Sequence, residues 1–180
     1  MGGQASAAEL KDGSWLFGLG GGAGLLLGST RSKAAPAAIL SGYAVYASRE
    51  EGSWGLNADR FLFGVKKGFE LDATALTLTR RAYFKQGNKE VLPYVLLALG
   101  WSESHADHPD GTEDRGAGAA GAIGGGFHRI KDGPISWGFE ARLLRVGAGL
   151  RRTGVSGMTV FALTTSLCWR AGAGEDFFGR

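Results

Sequence analysis

Residues 135–146, ISWGFEARLLRV, alternate between two kinds of side chain. Odd positions are apolar and even positions are polar or small: Ile135, Trp137, Phe139, Ala141 and Leu143 against Ser136, Gly138, Glu140 and Arg142. Because successive strand residues point to opposite faces, this spacing predicts a β-strand lying between two different environments. A soluble sandwich with an apolar core offers such environments, and so does a membrane barrel with a lipid-facing exterior and a polar interior.

Composition narrows the class of protein. The 180 residues include 32 glycines, well above the average usage of roughly 7%. The glycines keep no period of three and the chain has only 4 prolines, which excludes a collagen-like fold, and 11% aromatic residues disfavour disorder. A formal charge of +3 gives no indication of a nucleic-acid partner. The single cysteine, Cys168, excludes an internal disulfide framework and lies in an alternating run, so we expect it to be structural.

The N-terminal region raises two questions. Its start, MGGQASAAELKDGS, lacks the apolar core of a secretory signal, so either a signal was removed before residue 1 or the protein is not exported. Residues 13–30 are uncharged and about long enough for a transmembrane helix. However, the glycines at 18, 20, 22, 24 and 28 share one parity, and each would cost a helix about 1 kcal/mol. A strand is therefore the better prediction for this run.

The same alternation predicts about eight strands along the chain. Their ranges are 15–27, 37–48, 54–63, 71–84, 91–102, 119–130, 135–146 and 158–170. Several reach the roughly 9–11 residues that a tilted strand needs to cross a bilayer. Short connections, REEGS, KQGNKE and KDG, alternate with mostly longer ones, STRSKAAP, GVKKGFE, HADHPDGTEDRGAG and GLRRTGVS. This alternation of connection lengths is typical of outer-membrane barrels.

Side-chain parity assigns the faces of the strands. In the fifth strand, Val95, Leu97, Leu99 and Trp101 share one parity, opposite Tyr94, Ala98, Gly100 and Ser102. Small inward residues suit a narrow barrel, so the glycine excess is explained if glycines 18, 20, 22, 124, 126 and 138 face the lumen. The third strand changes phase near Asp59 and Arg60, which predicts a bulge there. Aromatic residues near strand ends, such as Trp15, Trp54, Tyr83, Phe84, Trp101, Phe127, Trp137 and Trp169, predict interfacial girdles.

With these strands, turns and faces, the chain resembles the small outer-membrane β-barrels of the OmpA, OmpX and OmpW kind over about residues 15–170. The likeness is most specific in TRRAYFKQGNKEVLPYVLLALGW and GAIGGGFHRIKDGPISWGFEARLLRV. The resemblance implies an all-β fold, a closed antiparallel transmembrane β-barrel of about eight strands, in the bacterial outer membrane with both termini in the periplasm. We expect residues 1–13 to be an N-terminal periplasmic segment, 14–170 the barrel and 171–180 a C-terminal tail, in which Phe177 and Phe178 could supply the aromatic ending of such proteins.

Charged residues at inward positions predict a network inside the barrel. Glu140 and Arg142 would face the lumen, where an isolated charge is costly and a paired one is tolerable. The candidate partners are Arg81, Arg170 and each other. We favour a structural plug of charge pairs over an ion path or gate.

The connections and histidines offer few chemical sites. Basic residues in the predicted outer loops are candidate contacts for lipopolysaccharide phosphates: Arg31, Lys33, Lys66, Lys67, Arg151 and Arg152. The loop HADHPDGTED carries cation-binding residue types without an EF-hand or zinc spacing, so no metal site is predicted. No strand carries a His–Ser pair, and GLGGGAG is followed by no helical pattern, so we predict neither a catalytic residue nor a cofactor.

The sequence therefore predicts a monomeric outer-membrane barrel with a structural or interaction role: anchoring the envelope, presenting loops or docking a partner protein. A narrow channel, or a lateral path for small hydrophobic molecules, is the alternative. A soluble ligand-binding barrel of the lipocalin type is a third, because no signal sequence is present in the numbered chain.

Overall fold

The computed structural model of the protein describes residues 13–32, 34–48, 52–66, 69–84, 91–129 and 134–171. These residues form one closed barrel of eight antiparallel strands. The strands are β1 Trp15–Leu27, β2 Ala37–Ser48, β3 Gly52–Lys66, β4 Phe69–Tyr83, β5 Val91–Asp107, β6 Glu113–Arg129, β7 Ile135–Leu150 and β8 Val155–Ala171. A short 3-10 turn, Gly28–Ser32, follows β1, and no helix among the described residues is long and apolar enough to cross a membrane. The predicted fold class is confirmed.

Strands that follow one another in sequence are paired, and the first strand also pairs with the last. The first and last strands pair in register from Trp15 opposite Ala171 to Leu27 opposite Thr159, and this pairing closes the barrel. Closure leaves no free sheet edge across the middle of the barrel, which is the condition for a sheet to exist inside a bilayer.

The two ends of the barrel can be named by their connections. The start of β1, the end of β8 and the ends of the strands joined by connections 49–51, 84–90 and 130–134 lie at the turn end, and the strands joined by connections 28–36, 67–68, 108–112 and 151–154 meet at the loop end. The predicted long connection HADHPDGTEDRGAG was wrong, because β5 and β6 stay paired out to Asp107 opposite Glu113. Polar outward residues there interrupt the apolar alternation while the backbone ladder continues.

The outer face of the barrel is apolar. Large hydrophobic side chains on outward positions of all eight strands are exposed, with Leu19 at 76% and Leu99 at 67%. The inner face is mixed: it holds buried charged groups as well as apolar ones, and the Arg81 side chain is only 1% exposed. A lipocalin-type barrel would place its apolar side chains inside, whereas this belt would be an extensive apolar patch in water. The faces therefore have the polarity of a membrane barrel.

The loop half of the lumen is filled by hydrocarbon. Most of its inward side chains belong to one buried apolar cluster, and Ser102 and Ser104 are polar exceptions. The cluster includes Leu26, Ile39, Phe61, Phe63, Leu144, Val146, Met158 and Val160. The predicted bulge near Asp59 was wrong: β3 keeps register with β2 from residue 52 to residue 63, and its irregularity lies between Phe63 and Lys66. Phe61 and Phe63 are large apolar residues that point inward, so the alternation of apolar outward and polar inward residues is lost at this point of the sequence.

Inward glycines make room for aromatic and imidazole rings. A Cβ on Gly18 would collide with the ring of Tyr43, and one on Gly138 would lie 2.8 Å from Nδ1 of His128. Any larger side chain at these positions would displace a ring that fills the turn half of the lumen. The glycine excess thus serves interior packing.

Interfacial aromatic residues are concentrated at the turn end. Trp15, Trp54 and Trp169 are exposed there, and the guanidinium of Arg80 lies 5.3 Å from the centre of the Trp54 ring. Trp101 is the tryptophan nearer the loop end. Tyr83 does not belong to a girdle, because it points inward against Tyr94. The predicted periplasmic segment and C-terminal tail, with Phe177 and Phe178, lie outside the described residues except at their barrel-side ends, so those assignments stay predictions.

Candidate functional site

The centre of the lumen holds a carboxylate between two guanidinium groups. Glu140 on β7 forms an ion pair with Arg142, two residues along the same strand face, and one of its oxygens lies 2.7 Å from Nε of Arg142. Its other oxygen accepts from Nη2 of Arg81 on β4 at 3.2 Å and from the hydroxyl of Tyr94 on β5 at 2.7 Å. These contacts span the barrel from β4 and β5 to β7. The structure therefore brings three of the predicted network residues together: Glu140, Arg142 and Arg81.

Arg142 is also bound by a second carboxylate, Asp59 on β3. Its Nη1 and Nη2 donate to the two Asp59 oxygens at 2.9 and 2.7 Å, a bidentate arrangement. Asp59 further accepts from Asn57 Nδ2 at 2.6 Å and from the Ser41 hydroxyl. Both oxygens of the Asp59 carboxylate thus accept hydrogen bonds from groups inside the barrel, which a buried charge requires.

Arg81 is held between aromatic rings as well as by Glu140. Its guanidinium carbon lies 4.2 Å from the centre of the Tyr43 ring and 5.2 Å from that of Tyr94. Cation–π contacts of this kind strengthen when the cation is removed from water. The rings therefore fix Arg81 across the width of the lumen.

Arg170 lies apart from this network. Thr164 is the register partner of Glu140 on β8, and Arg170 lies six residues further toward the turn end, roughly 20 Å along the strand. The further member of the network is Asp59, a carboxylate that pairs with Arg142 and that the sequence analysis did not include. The parity shared by Asn57, Asp59, Phe61 and Phe63 is the signal that could have identified it.

A second polar cluster lies on the turn side of the charge network. Cys168 Sγ is 3.6 Å from Nδ1 of His128 and 2.9 Å from the Tyr43 hydroxyl, and the Ser166 hydroxyl is 3.4 Å from the same sulfur. His128 on β6 and Ser166 on β8 lie on either side of Gly138 of β7, and each is close to Cys168. His128 and Cys168 are completely buried, and the ring of Tyr94 stacks on His128. Tyr43 and Ser166 are only partly buried, whereas the imidazole and the thiol are enclosed.

The predicted basic residues occupy the loop end where they are described. Lys66, at the end of β3, donates from Nζ to the main-chain oxygen of Arg31 at 3.2 Å, which places these two bases side by side. Arg151 and Arg152 are exposed in the β7–β8 turn, where the main-chain N–H of Arg152 donates to Asp114 at 2.9 Å. Lys33 and Lys67 lie outside the described residues.

Acidic groups collect on another part of the loop end. Nε2 of His105 lies 3.5 Å from an oxygen of Asp107 and 3.4 Å from one of Glu113, and the ligand atoms of these three residues lie within 4.8 Å of one another. Hydrogen bonding and charge from Arg115, together with His105, lower the pKa of the Glu113 carboxyl below its ordinary value. The contacts among these exposed groups are those of a solvated charged surface, and the expected lack of a metal site stays a prediction.

Charge is therefore distributed unevenly around the barrel. Within the described part of strands β7, β8, β1 and β2 and the connections that join them, Glu140 is the single carboxylate, and it points into the lumen. The outer loop-end surface of that half carries Arg145, Arg151, Arg152 and Arg31. The opposite half carries Glu70, Asp72, Glu103, Asp107 and Glu113, with Arg60 paired to Asp72 and Arg115 paired to Glu113.

Comparison with known proteins identifies the fold. No family model and no curated protein matches the chain. Among solved structures, Neisserial surface protein A, NspA, aligns with a TM-score of 0.72 at 12% identity, covering 88% of this chain and 97% of that one. Ail, the attachment invasion locus protein of Yersinia pestis, gives 0.56 at 12% identity, covering 89% and 100%. The outer membrane protein OprG of Pseudomonas aeruginosa gives 0.54 at 15% identity, covering 91% and 98%.

The chain thus has the fold of the small eight-stranded outer-membrane barrels, as the sequence resemblance implied. The alignments span nearly the whole length of each neighbour, so the likeness is to a complete barrel.

Proposed function

We propose that the protein is a monomeric barrel of the bacterial outer membrane, with its turn end in the periplasm and its loop end outside. Its role is structural or interactive: it anchors the envelope, presents loops or docks a partner protein, and it has no open pore. The exposed belt of large apolar side chains on every strand supports the membrane location. The likeness in fold to NspA, Ail and OprG supports the outer membrane as that location.

The filled lumen is the observation that carries the proposed lack of a pore. In the central layer, Arg81 and Arg142 are tied to Glu140 and Asp59 across the barrel. On the loop side of this layer the interior is packed with hydrocarbon, including Phe61 and Met158, each 0% exposed. An ion would have to break buried charge pairs and then displace an apolar layer, and both steps are costly.

Lipid is the partner that the outer surface fits best. Guanidinium and ammonium groups are suitable donors to lipopolysaccharide phosphates. Arg31, Lys66, Arg151 and Arg152 stand at the loop end, where such phosphates would lie, and we keep Lys33 and Lys67 in this set from the sequence alone. Neither a nucleic acid nor a cofactor belongs to this proposal. A catalytic role is not proposed either, since the His128 and Cys168 side chains are enclosed.

Conductance across a planar bilayer tests the closed lumen. We expect the purified protein to show no sustained conductance. A double variant, Asp59→Ala with Arg142→Ala, removes one arm of the charge network, and we expect it to be less stable yet still closed, because the apolar layer remains. Stable and reproducible channels in the unmodified protein would reject the structural role in favour of the transport alternative.

A further inference from the structure

A recess of about 540 Å³ lies at the loop end beside the end of β1. This is within the size range of small-ligand pockets, roughly 300–1,000 Å³. It is lined by Leu25, Leu26 and Leu27 of β1 and by Ala34, Ala35 and Pro36 of the segment that leads into β2. That segment is fixed to β3, because Ala35 donates to the Gly64 oxygen at 3.3 Å and Gly64 donates to the Pro36 oxygen at 3.2 Å. The recess is therefore a built feature with hydrocarbon walls.

Two bases line the same recess. Arg31 and Lys66 are its charged members, and the bond from Lys66 Nζ to the Arg31 main-chain oxygen holds them together. No carboxylate is among its described lining residues, and the strands on its β1 and β8 side carry no outward acid in their described parts. Positive charge beside a recess whose described lining holds no carboxylate attracts anionic groups.

The recess is continuous with the lipid-facing surface. Leu25 and Leu27 are outward residues of β1 and are 52% and 40% exposed, so a hydrocarbon chain in the leaflet can reach the recess without leaving an apolar environment. The matching ligand has an alkyl chain on one side and an anionic group on the other. A phosphate suits the anionic position, because Arg31 offers planar donors to phosphate oxygens and Lys66 a second positive charge.

We propose that this recess binds the lipid A part of lipopolysaccharide, a phosphorylated and multiply acylated glycolipid, with one acyl chain along Leu25 and Leu27 and one phosphate on Arg31 and Lys66. The proposal rests on the proposed function, because it requires the loop end to lie in the outer leaflet. It goes further by assigning one site and both parts of its ligand. A purely electrostatic contact would use the bases and leave the apolar recess without a role.

Native mass spectrometry of the folded protein in detergent micelles tests the site, with bis-phosphorylated lipid A as the probe. Lipid A from which the phosphates have been removed and phosphatidylglycerol serve as comparison lipids. We expect Arg31→Gln with Lys66→Gln to weaken lipid A binding by about tenfold or more, since two charge-assisted contacts are lost. Ala35→Phe, which fills the recess without changing charge, should weaken it to a similar degree. Leu27→Thr, a second change to the apolar wall, should also lower binding.

The matched control is Arg60→Gln with Arg115→Gln, which removes two bases from the acidic half of the same end. We expect lipid A binding to stay within about twofold of the unmodified protein, because these bases already face Asp72 and Glu113. The site is rejected if this control loses as much affinity as the double variant at the recess, or if removing the lipid phosphates changes nothing. Phosphatidylglycerol bound as tightly as lipid A would reject the assignment to lipid A. A protein that folds in micelles but shows no lipid preference rejects this inference alone, whereas failure to fold in micelles or bilayers rejects the proposed function.

Discussion

Glu140 illustrates how single residues hold the interior of the barrel. Its carboxylate is buried between Arg81 and Arg142, and Arg142 is neutralised on its other side by Asp59. The four groups balance in charge, so the cost of burying each is offset only while all its partners remain. Loss of a carboxylate leaves a guanidinium short of counter-charge in an enclosed space, and loss of a guanidinium does the same to a carboxylate. The network is therefore cooperative, and single substitutions in it are expected to be severe.

Replacing Glu140 by glutamine tests this dependence against a matched exposed site. We expect Glu140→Gln to lower the free energy of unfolding by about 3–5 kcal/mol, the range for breaking a buried ion pair. Glu113→Gln removes the same charge from an exposed pair with Arg115 and should change the free energy of unfolding far less, because water screens that pair. Urea unfolding in lipid vesicles, followed by tryptophan fluorescence, measures both. Equal effects of the two substitutions would show that the ion pairs in the lumen contribute no more to the free energy of unfolding than an exposed pair does.

The turn between β5 and β6 gives a prediction about pH. Asp110 accepts from the Thr112 side-chain hydroxyl at 2.5 Å and from its main-chain N–H at 3.0 Å, and these bonds lower the pKa of the Asp110 carboxyl. Because the pKa is depressed in the folded protein, the stabilising contribution is present at neutral pH and is lost as the pH falls through that lowered pKa. Thr112→Val should raise the Asp110 pKa toward its ordinary value in an NMR titration. The Glu113 pKa, which depends on Arg115, should not move with it.

At the level of the strand, the cost of a charged substitution on the outward face depends on how far along the strand the residue lies. Leu97 and Glu103 share the outward face of β5, but Glu103 lies beyond Trp101, toward the loop end. We expect Leu97→Arg to destabilise the bilayer-folded protein by about 2–4 kcal/mol, and Glu103→Arg by about 0–1 kcal/mol. Phe139→Arg on β7 should behave like Leu97→Arg. Unfolding of each variant in vesicles measures the difference, and an unchanged stability of Leu97→Arg would mean that the faces have been assigned the wrong way round.

Glycine on the inward face should fail by another mechanism. A Cβ on Gly124 would lie 3.0 Å from Cγ of Arg142 and would collide with the Ala141 oxygen. Gly124→Arg is therefore expected to prevent folding by overfilling the lumen rather than by placing charge in lipid. Gly124→Leu, which overfills the lumen without adding charge, should also give no folded protein in micelles, and this separates the cause from the effect of Leu97→Arg. Normal folding in micelles would contradict it.

Strand faces were predictable from sequence wherever the two faces differ strongly in polarity. In β7 the apolar and polar sets keep separate parities, so Glu140 and Arg142 were placed inward correctly. In β3 the inward set changes from polar at Asp59 to aromatic at Phe61, since the lumen itself changes from a charged layer to an apolar one. A pattern that assumes a uniformly polar interior reads this change as a shift of phase.

Partners across the barrel were not predictable, because they depend on the register of strands that are distant in sequence. Arg142 meets Asp59, 83 residues away, and His128 meets Cys168, 40 residues away. Each of these residues has an inward parity, but parity gives no height along the barrel axis. For the same reason Arg170 was a reasonable candidate by face while lying far from Glu140 along β8.

Across the whole molecule, the charged groups of the loop end separate into a basic half around β7, β8 and β1 and an acidic half around β4, β5 and β6. The surface charge of the loop end therefore differs from one side of the barrel to the other, whereas the apolar belt is similar all round. Anionic lipid would gather on the basic half, and a cationic segment of another protein would be favoured on the acidic half. A barrel with a closed lumen can thus still act through its rim.

Closure of the barrel is a property of the whole chain, and gel mobility measures it. The sheet has every strand paired on both sides, so the folded form should resist detergent and migrate differently before and after boiling. A chain shortened to end at Thr153 lacks β8 and leaves the edges of β1 and β7 unpaired, so we expect it to give no heat-sensitive folded band. Full-length protein that stays soluble without detergent and shows no shift on boiling would reject the membrane barrel. A heat-sensitive band from the shortened chain would show that stability does not depend on closure, and that the belt and the inner layers hold the remaining strands together without it.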